Sequence, residues 1–298
     1  MDEDGFLDRP VAFECNDELL SGIVSEPKNA FDSAVIIVVG GPQFRVGSHR
    51  QFVLLARYLA QQGVLALRFD YTGMGYSAGL PKQFFEVDQD INAALDFVQR
   101  QYPHVKKIFL WGLCDAASAI SFSAYTQHRV DGIILLNPWV RSEASHSEAI
   151  LKNYYKDRIF SVEVWKQLLG SPHKIYRAVI SLLGVSFKVL MNMFVSKGGE
   201  SQRMQEISLA DRQDNLVASV LTGLTRFHGD ICLLLSENDL TADEFKREFE
   251  NSGWMQDSSN AKKMIVHNIS EADHTFSSDV WRKEVEAITM QFIRDYTD

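Results

Sequence analysis

Short apolar runs alternate with amphipathic segments through the first half of the chain, in the rhythm of strands and helices. The apolar runs are residues 35–39, 64–69, 108–111 and 133–136. Between them, segments 51–62 and 87–100 carry apolar residues at the spacing of one helix face. Strands that are apolar throughout are typical of a parallel sheet covered by helices on both faces. The pattern therefore predicts an α/β fold.

Further runs extend this pattern at both ends of the chain. Residues 11–13 and 19–24 are short and apolar, and we expect them to form an antiparallel hairpin added to the sheet. Residues 231–235 and 263–266 resume the strand pattern, and residues 281–296 predict a final helix. The whole sequence thus predicts a mostly parallel sheet flanked by helices.

Between residues 141 and 228 the alternation stops and the pattern is helical throughout. We therefore expect a core made of residues 1–140 and 229–298, with 141–228 inserted as a helical cap. The insertion leaves the predicted sheet at the carboxyl end of a strand, where ligands bind in open α/β sheets. Its apolar stretch, 178–195, predicts packing against the core, with an acyl-binding pocket or a membrane-surface contact as alternatives.

Composition narrows the class of protein. The chain has 298 residues, of which 46% are hydrophobic, enough for one large core. Its net charge of −9 argues against a nucleic-acid-binding protein, which needs a basic surface. The three cysteines lie far apart in sequence, so we expect neither a disulfide framework nor a metal site. The glycines of segment 70–77 lack the spacing of a phosphate or dinucleotide loop, so we expect no cofactor.

The N-terminal segment is acidic and lacks the basic and apolar regions of a secretory signal. Free cysteines fit a reducing compartment. We therefore expect a cytoplasmic protein. Nothing in the sequence specifies an oligomeric state.

Cys114 is the candidate nucleophile. The string Gly112-Leu113-Cys114-Asp115-Ala116 joins a predicted strand to a helix that begins almost at once, and it matches the G-x-S-x-G motif with cysteine for serine and alanine for the last glycine. A sharp turn of this kind holds a reactive atom near backbone N–H groups that stabilise an oxyanion. A neighbouring imidazole would activate the sulfur as a thiolate. The alternative is that Cys114 is a small buried core residue.

Two later segments supply the partners of such a nucleophile. Asp239 follows the apolar strand 231–235, and His274 follows strand 263–266. Nucleophile, acid and histidine then occur in the chain order of the α/β-hydrolases, so we expect His274 to act as base and Asp239 to orient it. The other carboxylates near these positions are Asp243, Glu237 and Asp273. Of these, Asp273 is adjacent to His274 in sequence, and neighbouring side chains diverge.

The loop after strand 35–39 carries the remaining candidates. We expect an oxyanion hole formed by the backbone N–H of Asp115 and that of Gln43, with Gly41 as the alternative to Gln43, because Pro42 has no N–H. Three basic residues of the same loop are candidates for binding an anionic group of the substrate, or are ordinary surface residues: Arg45, His49 and Arg50.

Three motifs of this chain closely resemble the bacterial exosortase A system-associated hydrolase 1 family. They are GGPQFRVGSHRQF at 40–52, FDYTGMG at 69–75 and GLCDAAS at 112–118. The likeness continues through 239–242 and 273–276 and is weakest in the insertion. It implies an α/β-hydrolase associated with exopolysaccharide production and protein sorting at the envelope. The cysteine turn also looks like that of dienelactone hydrolases, but the long insertion departs from those compact enzymes.

Three functions follow from these residues. The first is hydrolysis of an ester or thioester of a small acyl substrate through an acyl-cysteine intermediate. The second uses the same intermediate but transfers the acyl group to a sugar or lipid hydroxyl. The third is a non-catalytic binding protein with a hydrolase fold, against which the complete set of nucleophile, acid and base argues.

Overall fold

The computed structural model describes residues 5–41, 43–140, 207–254 and 264–297. Most of the predicted cap, residues 141–206 with the apolar stretch 178–195, lies outside the described residues, as does Pro42. The extent of the cap and its position over Cys114 therefore stay predictions.

Eight strands of the described residues form one sheet in the order β1-β2-β4-β3-β5-β6-β7-β8. The strands β1 and β2 pair antiparallel, as do β2 and β4, and every other neighbouring pair is parallel. The predicted mostly parallel sheet with an added hairpin is confirmed. The bounds of the strands are β1 Phe6–Cys15, β2 Glu18–Pro27, β3 Ser33–Val38, β4 Leu65–Asp70, β5 Lys107–Leu113, β6 Gly132–Leu136, β7 Asp230–Ser236 and β8 Met264–Ile269.

Helices cover both faces of this sheet. Short 3₁₀ turns lie at Ser48–Arg50, Phe84–Glu86 and Ala124–Thr126. The bounds of the α-helices are α1 Gln51–Gln61, α2 Asp88–Gln101, α3 Asp115–Ser123, α4 Leu209–Asp214, α5 Leu216–Arg226, α6 Leu240–Asn251 and α7 Asp279–Thr297. None of the helices in the described ranges is long and apolar enough to cross a membrane.

Two apolar layers, one on each face, hold the helices to the sheet. Along β3 the side chains alternate between them, with Ile36 in the layer that contains residues of α2, α3 and α5 and Ile37 in the layer that contains residues of α1 and α7. Both side chains are completely buried. Because each central strand is covered twice, its sequence is a continuous apolar run rather than an alternating one.

Residues 207–228, which the sequence pattern assigns to the cap, form α4 and α5. Helix α5 approaches α3 closely, since a side chain at Gly223 would overlap the backbone carbonyl of Ser121. The backbone N–H of Ile207 donates to the Tyr125 hydroxyl at 2.7 Å. The chain is thus bonded to the core from residue 207 onward.

Candidate active site

Cys114 occupies a sharp turn between β5 and α3. Its backbone has φ 61° and ψ −123°, a conformation that residues with a Cβ adopt only under strain. The turn is tight, because a Cβ at Gly112 would lie 2.7 Å from Ile120 Cδ1 and 2.9 Å from the backbone of Ala116. The predicted strand–turn–helix is therefore present, and it leaves Cys114 half-buried at the carboxyl edge of the sheet.

The surroundings of Cys114 favour the neutral thiol. Burial and the negative charge of Asp115 raise the pKa of the Cys114 thiol well above its ordinary value, and a hydrogen bond from the Asp115 backbone lowers that pKa only in part. The charge of Asp239 also reaches Cys114 and raises its pKa. The sequence predicts a thiolate activated by an imidazole. Burial first, and the charges of Asp115 and Asp239 after it, favour the protonated thiol in the resting protein, so activation by His274 stays a prediction.

His274 and Asp239 meet beyond the ends of β7 and β8. The imidazole Nδ1 lies 2.8 Å from Asp239 Oδ2. Asp239 also caps α6, accepting from the backbone N–H groups of Thr241 at 3.2 Å and Ala242 at 3.1 Å. Burial raises the pKa of Asp239, but the hydrogen bond and charge of His274, together with the two amides, lower it below its ordinary value. A carboxylate held in this way is ionised and fixed in orientation.

The other carboxylates point elsewhere. Asp273 accepts from the backbone N–H groups of Thr275 at 3.1 Å and Ser277 at 3.0 Å, so it closes the local turn. Glu237 accepts from the hydroxyl of Ser270 at 2.8 Å. Asp243 is exposed on α6. Among these carboxylates of the described chain, the one that hydrogen-bonds the imidazole of His274 belongs to Asp239.

Asp115 fastens the loop after β3 to the turn that carries Cys114. Its Oδ2 accepts a hydrogen bond from the backbone N–H of Gly41 at 2.7 Å. A Cβ at Gly40 would overlap Asp115 Oδ1, so this carboxyl packs directly against the loop backbone. Burial raises the pKa of Asp115 to about 6, although the backbone N–H groups of Gly41 and Ala116 lower it. Gln43 lies in the same loop, and its side-chain Oε1 accepts from the backbone N–H of Ser48 at 3.1 Å.

The three basic residues of this loop have different surroundings. Arg45 forms an ion pair with Asp70, which is completely buried and also accepts from the Arg45 backbone N–H at 2.7 Å. Its guanidinium lies 4.8 Å from the centre of the Tyr76 ring. His49 and Arg50 are exposed and have φ 53° and 62°, in the left-handed region. The structure thus leaves two of the three side chains open to solvent, and their predicted contact with an anionic substrate stays a prediction.

Asn137, directly after β6, is a residue of this site that the motifs of the sequence do not indicate. It is completely buried and has φ 43°. Its side-chain Nδ2 donates to the backbone carbonyl of His274 at 3.0 Å and to Ser236 Oγ at 2.8 Å. A polar side chain at the end of an apolar strand is the one local signal that could have identified it.

In the part of the chain that the structure describes, no group of three or more histidine, cysteine, aspartate or glutamate side chains is arranged to hold a metal ion. The groups gathered at this edge of the sheet are a thiol, an imidazole, carboxyls and backbone amides.

Residues 32–180 match the model of the Hydrolase_4 family, described as serine aminopeptidase, S33. The chain belongs to this family. This Hydrolase_4 protein is therefore an α/β-hydrolase, as the sheet order and the turn at Cys114 indicate. It carries cysteine at the turn of a family whose description names serine enzymes. No curated protein matches the chain.

Solved structures share the α/β-hydrolase fold of this Hydrolase_4 chain. An esterase of Pyrococcus furiosus is 16% identical, with a TM-score of 0.64 over 97% of this chain and 91% of that one. Est1E from Butyrivibrio proteoclasticus, solved with ferulic acid, is 16% identical with a TM-score of 0.60 over 97% and 100%. A dienelactone hydrolase from Anabaena variabilis is 12% identical, with a TM-score of 0.58 over 98% of both chains. At these identities the likeness establishes the fold.

Proposed function

We propose that this α/β-hydrolase cleaves a carboxylic ester or thioester through an acyl-cysteine intermediate, with Cys114 as nucleophile, His274 as base and Asp239 orienting the imidazole. The observation that carries the proposal is the 2.8 Å contact between His274 Nδ1 and Asp239 Oδ2. These residues follow the neighbouring strands β7 and β8, at the same edge of the sheet as the sharp turn of Cys114. A nucleophile, a base and a group that orients the base are the three parts of a catalytic triad for acyl transfer.

In the first half of the reaction, His274 Nε2 takes the proton of the Cys114 thiol while Sγ attacks the acyl carbon. The new S–C bond gives a tetrahedral intermediate with a negative oxygen. When this intermediate collapses, the bond to the alcohol or thiol breaks, and the departing group receives the proton from the imidazolium. Asp239 stabilises the imidazolium that forms in between and keeps its Nδ1–H in place.

In the second half, water releases the acyl group. His274 removes a proton from the water molecule as its oxygen attacks the acyl carbon. The second tetrahedral intermediate breaks at the S–C bond, and the imidazolium returns its proton to Sγ. The products are a carboxylic acid and the original thiol, so the base is restored after each turnover.

Because burial and the neighbouring carboxylates raise the pKa of Cys114, the resting sulfur carries its proton at neutral pH. Proton removal by His274 must therefore accompany the attack on the acyl carbon. Thioesters and esters suit this chemistry, since their leaving groups depart as thiols or alcohols with a single proton from the imidazolium.

For the oxyanion we propose the backbone N–H groups of Asp115 and Gln43. Asp115 directly follows the nucleophile, and its N–H already interacts with the sulfur. The N–H of Gly41 donates to the Asp115 carboxyl, so Gln43 is the better second donor in this loop.

The cellular setting is a further part of the proposal. The motifs at 40–52, 69–75 and 112–118 support a link to exosortase and exopolysaccharide systems. We propose that the enzyme acts in the cytoplasm on a small acyl substrate, with the apolar segment 178–195 as the part suited to an acyl chain or a membrane surface. Deletion of the gene should then reduce exopolysaccharide, and restoration of the wild-type gene but not of Cys114→Ala should recover it.

The biochemical test uses p-nitrophenyl esters and acyl thioesters of graded chain length. Wild-type protein should hydrolyse one of these series, Cys114→Ala should not, and mass spectrometry of quenched reactions should find the acyl group on Cys114. Cys232→Ala, which removes a completely buried thiol from β7, serves as the control and should retain turnover. Unchanged hydrolysis by Cys114→Ala would exclude the proposed intermediate.

A further inference from the structure

The side chain of Asn137 connects the ends of β6 and β7 to the loop that carries His274. Its Oδ1 accepts from the backbone N–H of Ser236 at 2.9 Å, and its Nδ2 donates to both Ser236 Oγ and the His274 carbonyl. The Ser236 hydroxyl donates in turn to the Asp273 carbonyl at 2.9 Å. The backbone carbonyls of Asp273 and of His274 itself are therefore both held at the end of the sheet by side chains.

These partners determine the positions of the oxygen and the nitrogen of the Asn137 side-chain amide. The backbone N–H of Ser236 requires an acceptor, and the carbonyl of His274 requires a donor. Asparagine supplies both from one side chain, and it also tolerates the positive φ of 43° at this position. Aspartate would place a carboxylate oxygen against the His274 carbonyl, and glycine would adopt the backbone conformation but make neither contact.

The same segment is bonded to the nucleophile. The backbone N–H of Cys114 donates to the Leu136 carbonyl at 2.8 Å, and the Cys114 carbonyl accepts from the Trp139 N–H at 3.2 Å. Residues 136–139 thus hold the backbone of Cys114 on one side, while the Asn137 side chain holds the backbone of His274 on the other. Residues 136–139 therefore link the backbone that carries the thiol to the backbone that carries the imidazole.

We propose that Asn137 is a positioning residue that sets the placement of the His274 imidazole relative to the Cys114 thiol. The inference rests on the proposed function, because it gives His274 the role of base. Asn137 is completely buried, so it acts through His274 and not through contact with substrate. A displacement of about 1 Å between reacting groups can lower a rate by about a hundredfold, so a side chain that fixes this spacing affects the rate strongly.

The test compares four variants with the wild-type protein: Asn137→Gly, Asn137→Asp, His274→Ala and Thr289→Val. Thr289→Val is the matched control, since it removes another buried side-chain hydrogen bond, that from Trp111 Nε1 at 3.3 Å. The probe is iodoacetamide, and its rate of reaction with Cys114 is followed by mass spectrometry over a series of acidic to alkaline pH values. This measurement does not require that the enzyme's natural substrate be known. Urea unfolding of each variant reports its stability.

In His274→Ala, the contribution of the imidazole to the rate of Cys114 alkylation should disappear. In Asn137→Gly, that contribution should fall by about tenfold or more. Asn137→Asp should lower the same contribution. Thr289→Val should alkylate within about twofold of the wild-type rate, although it loses a similar amount of stability. On a p-nitrophenyl ester that the enzyme cleaves, Asn137→Gly should lower kcat and leave KM unchanged.

A folded Asn137→Gly protein with the wild-type alkylation profile would overturn the positioning role, even if its stability were lower. This variant carries the test if Asn137→Asp does not fold, because glycine accepts the backbone conformation of residue 137. If His274→Ala itself left the profile of Cys114 unchanged, the thiol and imidazole would not work together. That result would reject the proposed function, and this inference with it.

Discussion

The carboxyl of Asp115 accepts a hydrogen bond from the Gly41 backbone N–H at 2.7 Å, and its charge raises the pKa of the adjacent Cys114 thiol. This contact joins the loop after β3 to the first turn of α3. It also places a buried acid next to the nucleophile. The contact therefore stabilises the loop after β3, and the charge of the same carboxyl disfavours ionisation of the thiol.

The raised pKa of Asp115 predicts a pH dependence of stability. The folded protein binds this proton more tightly than the unfolded chain, with a pKa of about 6 against an ordinary value of 3.8. The contribution is therefore fully present below the ordinary value and is lost as the pH rises through about 6, for a total of about 3 kcal/mol. Asp115→Asn stays neutral and keeps an acceptor for Gly41. We expect its stability relative to wild type to increase across this window, as measured by urea unfolding at acidic and neutral pH.

Asp243→Asn, on the exposed face of α6, is the control for that experiment and should show no such pH-dependent gain. If the free energy of unfolding of Asp115→Asn differed from that of wild type by the same amount at both pH values, the Asp115 carboxyl would not have a raised pKa in the folded protein.

The same substitution predicts a more reactive nucleophile. The charge of Asp115 raises the pKa of the Cys114 thiol, so Asp115→Asn should lower that pKa and increase the thiolate fraction at neutral pH. Iodoacetamide should then label Cys114 faster in the variant than in wild type, while Cys232, buried in β7, keeps its rate. Equal labelling of Cys114 in both proteins would show that burial alone governs its ionisation.

Asp239 and Asp273 form a matched pair for testing the acid of the site. Asp239→Asn should reduce kcat by about four orders of magnitude, because the imidazole loses the partner that fixes its tautomer. Asp273→Asn should leave kcat within about tenfold of wild type and act mainly on stability, since its contacts close a turn of the backbone. Steady-state kinetics on a p-nitrophenyl ester distinguishes the two. A reversed order of effects would make Asp273 the orienting acid.

Much of this fold can be predicted from the sequence, for a physical reason. Strands such as β3 and β6 are covered by helices on both faces, so every position is buried and nearly all are apolar, which makes the run visible in the sequence. The hairpin of β1 and β2 is longer than its apolar runs, because its outer residues include partly or fully exposed positions that polar side chains occupy. Strand β8 likewise continues through polar residues to Ile269.

The contacts within the site are harder to predict, because they join residues far apart in the chain. Nothing near Arg45 indicates that Asp70 will bury its charge beside it. Asn137 acts on a carbonyl 137 residues away. The positions of Cys114, Asp239 and His274 are visible because each follows a recognisable strand, whereas the residues that hold them leave no periodic pattern.

Arg45 tests whether the loop after β3 depends on its ion pair. Removing the guanidinium leaves the buried carboxylate of Asp70 without its cation, and losing one partner of a buried pair costs about 3–5 kcal/mol. Arg45→Ala should therefore lower the free energy of unfolding strongly. Arg50→Ala, at an exposed neighbour in the same loop, should change it by about 0.5 kcal/mol or less. Urea denaturation measures both, and equal stability of the two variants would contradict the importance of the pair.

The strained backbone of Cys114 gives a prediction that does not depend on knowing the substrate. At φ 61° and ψ −123°, a residue with a Cβ costs about 1–3 kcal/mol relative to a relaxed conformation. Alanine keeps this Cβ, whereas glycine removes it and the strain, at an entropic cost of about 0.5–1 kcal/mol. Cys114→Gly should therefore be more stable than Cys114→Ala by about 1 kcal/mol, although both lack the sulfur and should be inactive.

Ala117→Gly is the matched control, because position 117 lies inside α3, where glycine destabilises a helix by about 1 kcal/mol. The same exchange of alanine for glycine, three residues apart, should thus have opposite signs in urea unfolding. If glycine were destabilising at both positions, the turn at Cys114 would be relaxed in solution. The bonds of Leu136 and Trp139 to the Cys114 backbone would then hold a relaxed turn and not a strained one.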